Sequence, residues 1–424
     1  MVKIGKLRNE IPLIYEEVPG LKSVSFGVFV KMGSALENRD NNGISHVIEH
    51  MIFKGTSKYT VKEMADIMSD LGGNINAYTS KENTVFYGRV LNEDFENAIS
   101  LMGQMLLDPS FDEKELAKEK HVILDEIDLY DDSAEDLCHE LLQKKVWKNS
   151  PYGYIISGSR TNVKSFSRES IVDTWKNNYV PENMVISVAG GLDYYKVYDI
   201  VDRFFGIMDR NGAANEYSVP EYEPGFLCKY KDTEQVHLNI AFENAPASDE
   251  SRFPMNIINA ALGGNLNARL FQKIREEMGL TYSIYSYGSS FNKAGLFHIY
   301  ASMNPSQVLK VMEGIFDVIK DLRNHGIDGE ELERIKKQLK TEIILTGESV
   351  SAKMNSNAKS FLMLGRVEEI DEVIENNNRV TVKDIEQCLI KYLDVSRCSV
   401  CLIGDIDKEQ EKLLKKEWNK FKKA

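Results

Sequence analysis

His46-Val47-Ile48-Glu49-His50 lies within residues 43–53, GISHVIEHMIF, whose apolar spacing predicts a helix. At 3.6 residues per turn, positions 46, 49 and 50 of a helix lie on one face. That face therefore carries two imidazoles and one carboxylate, and the rest of the chain is interpreted from it.

Two imidazoles one turn apart can bind one metal ion. A catalytic zinc takes neutral imidazole nitrogens at about 2.0–2.1 Å and needs a third protein ligand and an open position for water. Glu49 is then the candidate general base, because a carboxylate beside zinc-activated water can take its proton and return it to a leaving amine. The order H-x-x-E-H inverts the common H-E-x-x-H zinc-protease motif. The pentapeptide alone also fits an ordinary polar helix face, so further features must decide.

A second predicted helix supplies the missing ligand. Asp112 is expected to cap it, and the helix continues to about Asp131. Glu119 and Glu126 lie seven residues apart on one face of this helix, which is otherwise apolar. Carboxylates on an apolar stripe cost free energy unless they are paired or bind a cation. Glu126 is therefore the candidate third metal ligand, and Glu119 is a candidate neighbour that supports the ligands.

Composition limits the class of protein. The chain has 424 residues, of which 42% are hydrophobic, and this length predicts two or more domains. No signal peptide or membrane-spanning segment is predicted, and five cysteines are typical of reduced thiols. We therefore expect a cytoplasmic protein with no membrane partner. A formal charge of −13 argues against nucleic acid as a partner, although it could attract cationic peptides.

Residues 74–90 read as two strands around a turn at 81–83. If one of these strands lies at a sheet edge beside the metal, it could bind an extended peptide by strand addition. An ordinary hairpin explains the pattern equally well. The residues that such an edge would present to a peptide are Asn76, Ala77 and Tyr78.

The chain contains an internal repeat. Residues 180–193 resemble residues 394–407, with Gly190 and Gly404 aligned at an offset of 214 (404 − 190). This indicates two tandem homologous domains of about 210 residues. Short strand-turn-strand units beside helices predict an α+β fold, in which each domain is a mostly antiparallel sheet packed with helices.

Three segments follow from the repeat. Residues 1–210 are predicted to be the zinc-binding catalytic domain. Residues 211–225, which contain two prolines and several small residues, are predicted to be a linker. Residues 226–424 are predicted to be the homologous second domain, which lacks H-x-x-E-H.

Taken together, these features resemble the pitrilysin and mitochondrial processing peptidase family, the insulinase-like zinc peptidases with the inverted motif. The chain looks like a single-chain, bacterial-type processing protease of that family. The pentapeptide matches the family motif, and Glu119 and Glu126 follow it at the family's spacing. Residues 73–79, GNINAYT, look like the edge strand that holds substrates in these enzymes. Residues 269–287, RLFQKIREEMGLTYSIYSY, resemble the family's Arg/Tyr segment.

The resemblance implies a zinc metalloendopeptidase that binds one Zn²⁺ per chain through His46, His50 and Glu126. It implies that Glu49 is catalytic and that Arg275 and Tyr282 contact substrate near the scissile bond. Tyr282 could donate a hydrogen bond to the oxyanion of the tetrahedral intermediate. Without the resemblance, the arginine and the tyrosine would be interpreted as a salt-bridging helix residue and a core aromatic.

The resemblance also implies that peptides or unfolded segments bind as an added strand inside an enclosed chamber. In this family four such domains make the chamber, so a chain with two of them is expected to form a homodimer. Two alternatives stay open. The chain could be a noncatalytic structural or peptide-binding subunit of a heterodimeric peptidase, or a peptide-binding module whose zinc is only structural and has four protein ligands.

Overall fold

The protein is described by a computed structural model that covers residues 2–210 and 212–423. These residues form two compact units, each assembled from three stretches of the chain. The first unit comprises the described residues of Met1–Ile127, Tyr154–Tyr217 and Ile344–Glu369, and the second comprises those of Asp128–Gly153, Ser218–Ile343 and Ile370–Ala424.

The strands, in chain order, are β1 (Val2–Lys6), β2 (Pro12–Glu17), β3 (Ser23–Val30), β4 (Asn74–Thr79), β5 (Thr84–Leu91), β6 (Met184–Gly190), β7 (Phe226–Tyr230), β8 (Val236–Glu243), β9 (Ser283–Ser290), β10 (Gly295–Met303) and β11 (Ser399–Gly404).

The α-helices are α1 (Ile44–Ile52), α2 (Val61–Asp70), α3 (Phe95–Leu107), α4 (Glu113–Asp132), α5 (Ala134–Val146), α6 (Arg160–Ser165), α7 (Arg168–Asn178), α8 (Tyr194–Phe205), α9 (Arg252–Leu262), α10 (Val308–His325), α11 (Gly329–Thr346), α12 (Val350–Leu364), α13 (Ile370–Arg379), α14 (Val382–Tyr392) and α15 (Lys408–Phe421). Among the described residues, every helix is either too short or too polar to cross a membrane.

The sheet of the first unit has its described strands in the order β1-β2-β6-β3-β5-β4. In this order β2 and β6 are parallel, and the other neighbouring pairs are antiparallel. One face of the sheet packs into a large apolar core with α1, α3 and α8. The other face packs against α12 through Val350, Met354 and Ala358.

The sheet of the second unit has its described strands in the order β7-β11-β8-β10-β9. Here β7 and β11 are parallel, and the remaining neighbours are antiparallel. This is the same arrangement as β2-β6-β3-β5-β4 of the first unit. The fold is thus α+β with two tandem homologous domains and mostly antiparallel sheets, as the sequence predicted.

Each sheet is covered on one face by a helix from the other half of the chain. In the second unit α5 packs against β8 and β11. The Nδ1 atom of His139, on α5, lies 2.7 Å from both the Asn239 amide nitrogen and the Tyr287 hydroxyl oxygen. In the first unit α12 packs against β3 and β6, where the Ser187 hydroxyl donates to the Met354 carbonyl. Local sequence patterns do not indicate this exchange of helices.

The local signals that begin the helices agree with the sequence. Thr60 and Glu63 form a capping box at the start of α2. Asp112 accepts hydrogen bonds from the backbone of Lys114 and Glu115, and so caps α4. Cys398 and Cys401 are buried and free.

Residues 212–225, within the predicted linker, contain no helix or strand. Asn211, with which that linker begins, lies outside the described residues. The boundaries 1–210, 211–225 and 226–424 stay a prediction.

Shortening Met354 should destabilise the first unit. Its side chain is 1% exposed, and a methyl group added at Gly27 would lie 2.7 Å from its sulfur. We expect Met354→Ala to lower the free energy of unfolding by about 2–5 kcal/mol, because it leaves a cavity in a packed core. Urea unfolding measures this.

Leu345→Ala is the control, because Leu345 is 60% exposed, and its unfolding free energy should change by less than about 0.5 kcal/mol. Equal losses for the two variants would contradict the packing of α12 on the first sheet.

Candidate metal centre

The motif helix α1 is fixed by its apolar side. Val47, Ile48 and Met51 are fully buried in the core of the first unit. Because these residues alternate with the polar positions at helical spacing, packing them turns His46, Glu49 and His50 to the opposite side. The apolar residues of the helix thus determine where its polar residues point.

The two histidines converge with Glu126 of α4. The Nε2 atoms of His46 and His50 lie 3.2 Å apart. Glu126 Oε2 lies 3.7 Å from the first of these nitrogens and 3.6 Å from the second. Among the residues that the structure describes, His46, His50 and Glu126 form the one group of His, Cys, Asp and Glu ligand atoms compact enough to hold a metal ion.

The three atoms fit zinc. With bonds of about 2.0–2.1 Å and tetrahedral angles, neighbouring zinc ligands lie about 3.4 Å apart. The observed separations of 3.2, 3.6 and 3.7 Å are close to that value. Two imidazole nitrogens and one carboxylate oxygen are also the ligand types of catalytic zinc, with a fourth position left for water.

His46 has the electrostatics of a neutral ligand. Burial, together with the charge of His50, lowers the pKa of His46 to about 3. Its imidazole is therefore neutral at neutral pH, with a lone pair available for a metal. Its Nδ1 atom is buried and has no hydrogen-bond partner among the described residues.

His50 is oriented by Glu119, which also pairs with Lys54. Its Nδ1 donates to Glu119 Oε1 at 2.9 Å, and Lys54 Nζ donates to Glu119 Oε2 at 2.7 Å. The bond at Nδ1 leaves Nε2 to face the centre. Burial lowers the pKa of His50, but Glu119 and the neighbouring carboxylates outweigh this and raise it. Burial raises the pKa of Glu119, but His50 and Lys54 outweigh this and hold it below its usual value.

Glu49 lies on the same helix face and is held by the end of β4. The Thr79 hydroxyl donates to Glu49 Oε2 at 2.6 Å. Burial raises the pKa of Glu49, and the hydrogen bond from Thr79 opposes this only in part. A carboxylate with a raised pKa accepts a proton more readily near neutral pH, which suits a general base.

The predicted edge-strand residues Asn76, Ala77 and Tyr78 lie on β4, the last strand of the described sheet. β4 pairs with β5 on one side. The Asn76 side chain accepts a hydrogen bond from the Ala77 backbone N–H at 2.8 Å. A peptide that added to this edge at Ala77 would have to displace that amide.

Arg275 and Tyr282 belong to the second unit, on and just after a π-helical turn, Phe271–Glu277. The Arg275 guanidinium lies 4.8 Å from the centre of the Tyr282 ring. Tyr282 is 78% exposed, so the alternative that it is a core aromatic is wrong. The first unit thus brings His46, Glu49, His50, Glu119 and Glu126 together, and the second brings Arg275 and Tyr282 together.

Two residues of the centre were missed by the sequence analysis. Lys54 follows His50 by one helical turn, so its spacing was a usable signal. Thr79 had no local signal, since its contact with Glu49 exists only because the sheet places β4 beside α1.

Comparison with known proteins gives two family matches. Residues 13–160 match the family described as "Insulinase (Peptidase family M16)". Residues 165–339 match "Peptidase M16 inactive domain".

Curated relatives cover nearly the whole chain. A Bacillus subtilis (strain 168) protein named "Uncharacterized zinc protease YmxG" is 37% identical, covering 91% of this chain and 94% of its own. A Rickettsia felis "Uncharacterized zinc protease" is 33% identical, covering 88% of this chain and 91% of its own.

Solved structures share the fold. A structure titled as a peptidase M16 inactive domain from Pseudomonas fluorescens has a TM-score of 0.89 at 18% identity, covering 96% of this chain and 98% of that one. A protease from Helicobacter pylori has a TM-score of 0.88 at 18% identity, covering 95% and 99%. At this identity the likeness concerns the fold alone.

Removing the charge of Glu119 should weaken zinc binding. In Glu119→Gln the shape is kept, but His50 loses the carboxylate that raises its basicity. We expect about 10–100-fold weaker zinc affinity, measured by competition with a chelating dye. Glu113→Gln, an exposed glutamate on the same helix, should bind zinc as the wild type does. Equal affinity of all three proteins would contradict the orienting role of Glu119.

Proposed function

The chain belongs to peptidase family M16, the insulinase family, and on that premise we propose that it is a zinc-dependent endopeptidase. His46, His50 and Glu126 bind one zinc ion per chain, and Glu49 is the general base. The observation that carries this proposal is the convergence of the two Nε2 atoms and the Glu126 carboxylate within 3.2–3.7 Å.

Zinc bound at such a site supplies a Lewis acid that polarises the peptide carbonyl and lowers the pKa of water to about 7. The chain's own residues handle the protons. Glu49 takes a proton from the attacking water and later donates it to the nitrogen of the leaving amine. The Thr79 hydroxyl holds Glu49 Oε2 in place at 2.6 Å, so the carboxylate enters the reaction already oriented.

The substrates are peptides or unfolded protein segments. The free side of β4 offers backbone groups to an extended chain, and Asn76, Ala77 and Tyr78 are the residues that would contact it. A folded domain has its strands already paired, so it cannot add one to this edge. The position of Glu49 beside Thr79, at the end of the same strand, supports a peptide held along β4.

The family resemblance also supports a role in substrate binding for Arg275 and Tyr282, which the proposal includes. Tyr282 is exposed and its ring centre lies 4.8 Å from the Arg275 guanidinium, so it is suited to donate a hydrogen bond to the substrate carbonyl oxygen as that oxygen becomes negatively charged. The same resemblance supports a homodimer, and the sequence supports a cytoplasmic location.

Glu49→Gln should separate zinc binding from hydrolysis. The amide cannot accept the proton of water, and the three ligands are untouched. We expect about one zinc per chain, with cleavage of a quenched fluorescent peptide library slowed by about 10²–10⁴-fold. Glu113→Gln, exposed on α4, should cut at the wild-type rate.

Two outcomes would reject this assignment. Wild-type cleavage by Glu49→Gln would exclude it as the base. A wild-type chain that holds zinc but cuts no peptide in the library would favour the noncatalytic subunit of a heterodimer.

Zinc affinity should rise with pH. A proton on His50 competes with zinc, and the raised pKa of His50 extends this competition above about 6.5, the usual histidine value. His46, with a pKa of about 3, adds nothing in that range. Zinc dissociation constants should therefore fall as pH rises through 6.5 and level off above the raised pKa.

Chelator competition at a series of pH values measures this dependence. In Glu119→Gln the zinc dissociation constant should level off at a lower pH than in the wild type. The reason is that this variant lacks the main partner that raises the pKa of His50. An affinity that is flat across neutral pH would contradict the assignment of His50 as a ligand.

A further inference from the structure

The N-terminus of the motif helix has no cap of its own. The N-cap residue of α1 is Gly43, which has a φ of +102° and makes no side-chain capping bond. A helix begins with several backbone N–H groups that lack intrahelical partners, and buried ones need an acceptor. Gly43 and Ser45 are both buried, so their N–H groups must find that acceptor within the protein.

Glu37 supplies it from the preceding loop. Its Oε2 accepts from the Gly43 backbone N–H and the Asn42 side-chain amide, both at 2.8 Å. Its Oε1 accepts from the Ser45 backbone N–H at 2.9 Å and from the Ser45 hydroxyl at 2.6 Å. Glu37 is 4% exposed, so the protein has buried a carboxyl group at this helix end and provided four donors for it.

A second loop, which includes Ile155 and Gly158, contacts the same end of α1. Asn42 also donates to the Ile155 carbonyl at 2.8 Å, which ties the two loops together. Gly43 and Gly158 approach so closely that a methyl group added to Gly158, which has a φ of +78°, would lie 2.6 Å from the Gly43 Cα. The first turn of α1 is thus held between two backbone segments, and Glu37 makes the polar contacts at their junction.

The proposed zinc ligands His46 and His50 and the proposed base Glu49 come immediately after Ser45 in the same helix. His46 is the third residue of α1, one position after Ser45, and Glu49 and His50 lie one turn further along. A rotation or slide of the first turn would move all three side chains relative to Glu126, which is carried by a different helix, α4. A displacement of about 1 Å at a catalytic centre can cost on the order of 10²-fold in rate.

We propose that Glu37 is a positioning residue: its carboxyl group fixes the rotation and depth of α1, and thereby the convergence of His46 and His50 with Glu126. This role rests on the proposed zinc site. Glu37 contacts neither metal nor substrate and acts only through Gly43, Ser45 and Asn42.

Glu37→Gln tests the role with little change in shape. Glutamine has one acceptor oxygen and one NH₂ group, so whichever way it points, two of the four donors face another donor. The first turn of α1 must shift to relieve this. We expect zinc affinity at least about 10-fold below wild type, a changed visible absorption spectrum of the Co²⁺-substituted protein, and a lower kcat at saturating zinc.

Met354→Ala is the matched control. It destabilises the same unit from the face of the sheet that packs on α12 and leaves the contacts of α1 in place. Its zinc affinity and Co²⁺ spectrum should equal those of the wild type, provided both are measured below the unfolding transition. A purely structural role of Glu37 would make the two variants alike, because lower stability in a folded protein does not alter the ligand geometry.

A milder variant keeps the test decisive if Glu37→Gln does not fold. Ser45→Ala removes only the hydroxyl bond to Oε1 and leaves the backbone N–H bond. It should lower zinc affinity and perturb the Co²⁺ spectrum in the same direction, but less.

The outcomes separate this role from the zinc site itself. If the wild type binds zinc and the folded Glu37 and Ser45 variants show its affinity and Co²⁺ spectrum, the role of Glu37 is overturned and the zinc site stands. If the wild type binds no zinc, both fall together.

Discussion

The candidate metal centre depends on the convergence of three side-chain atoms from two helices. The Nε2 atoms of His46 and His50 come from α1, and the Oε2 atom of Glu126 comes from α4, and all three lie within 3.2–3.7 Å of one another. Without a cation, a carboxylate on a mostly apolar helix stripe is unfavourable. A metal ion bound by these three atoms would compensate the charge of the Glu126 carboxylate, which is only partly exposed, and the packing of α1 and α4 is what places the three atoms together.

Successive layers of the first unit serve that constraint. Apolar residues of α1 lock its rotation in the core, and Glu37 closes its first turn. Glu119 and Lys54 fix the ring of His50, while Thr79 fixes Glu49. The polar contacts among these place donors and acceptors before any ligand arrives. If the centre binds zinc as proposed, such preorganisation would let it do so without rearranging the protein.

Much of the fold and of the candidate metal centre could be predicted from the sequence, because local residue spacing encodes it. Helical spacing placed His46, Glu49 and His50 on one face, and it placed Glu119 and Glu126 on another helix. The repeat around Gly190 and Gly404 predicted two homologous α+β domains, and the family resemblance is confirmed by the matches to both M16 regions. The roles of the individual site residues stay proposals.

What could not be predicted depends on contacts between distant segments. Thr79 reaches Glu49 only through the position of β4, and Glu37 has its role only because Gly43 leaves the helix uncapped. The covering of each sheet by α5 or α12 from the other half of the chain likewise has no signal in local periodicity. Sequence spacing reports which residues share an element, whereas these contacts report how elements are brought together.

The most direct test of the central claim is a crystal structure of the zinc-loaded wild-type chain, with anomalous diffraction collected at the zinc absorption edge. We expect one anomalous peak per chain, within bonding distance of His46 Nε2, His50 Nε2 and the Glu126 carboxylate, with the remaining position open to water. A peak elsewhere, or a zinc ion closed by a fourth protein ligand, would contradict this claim.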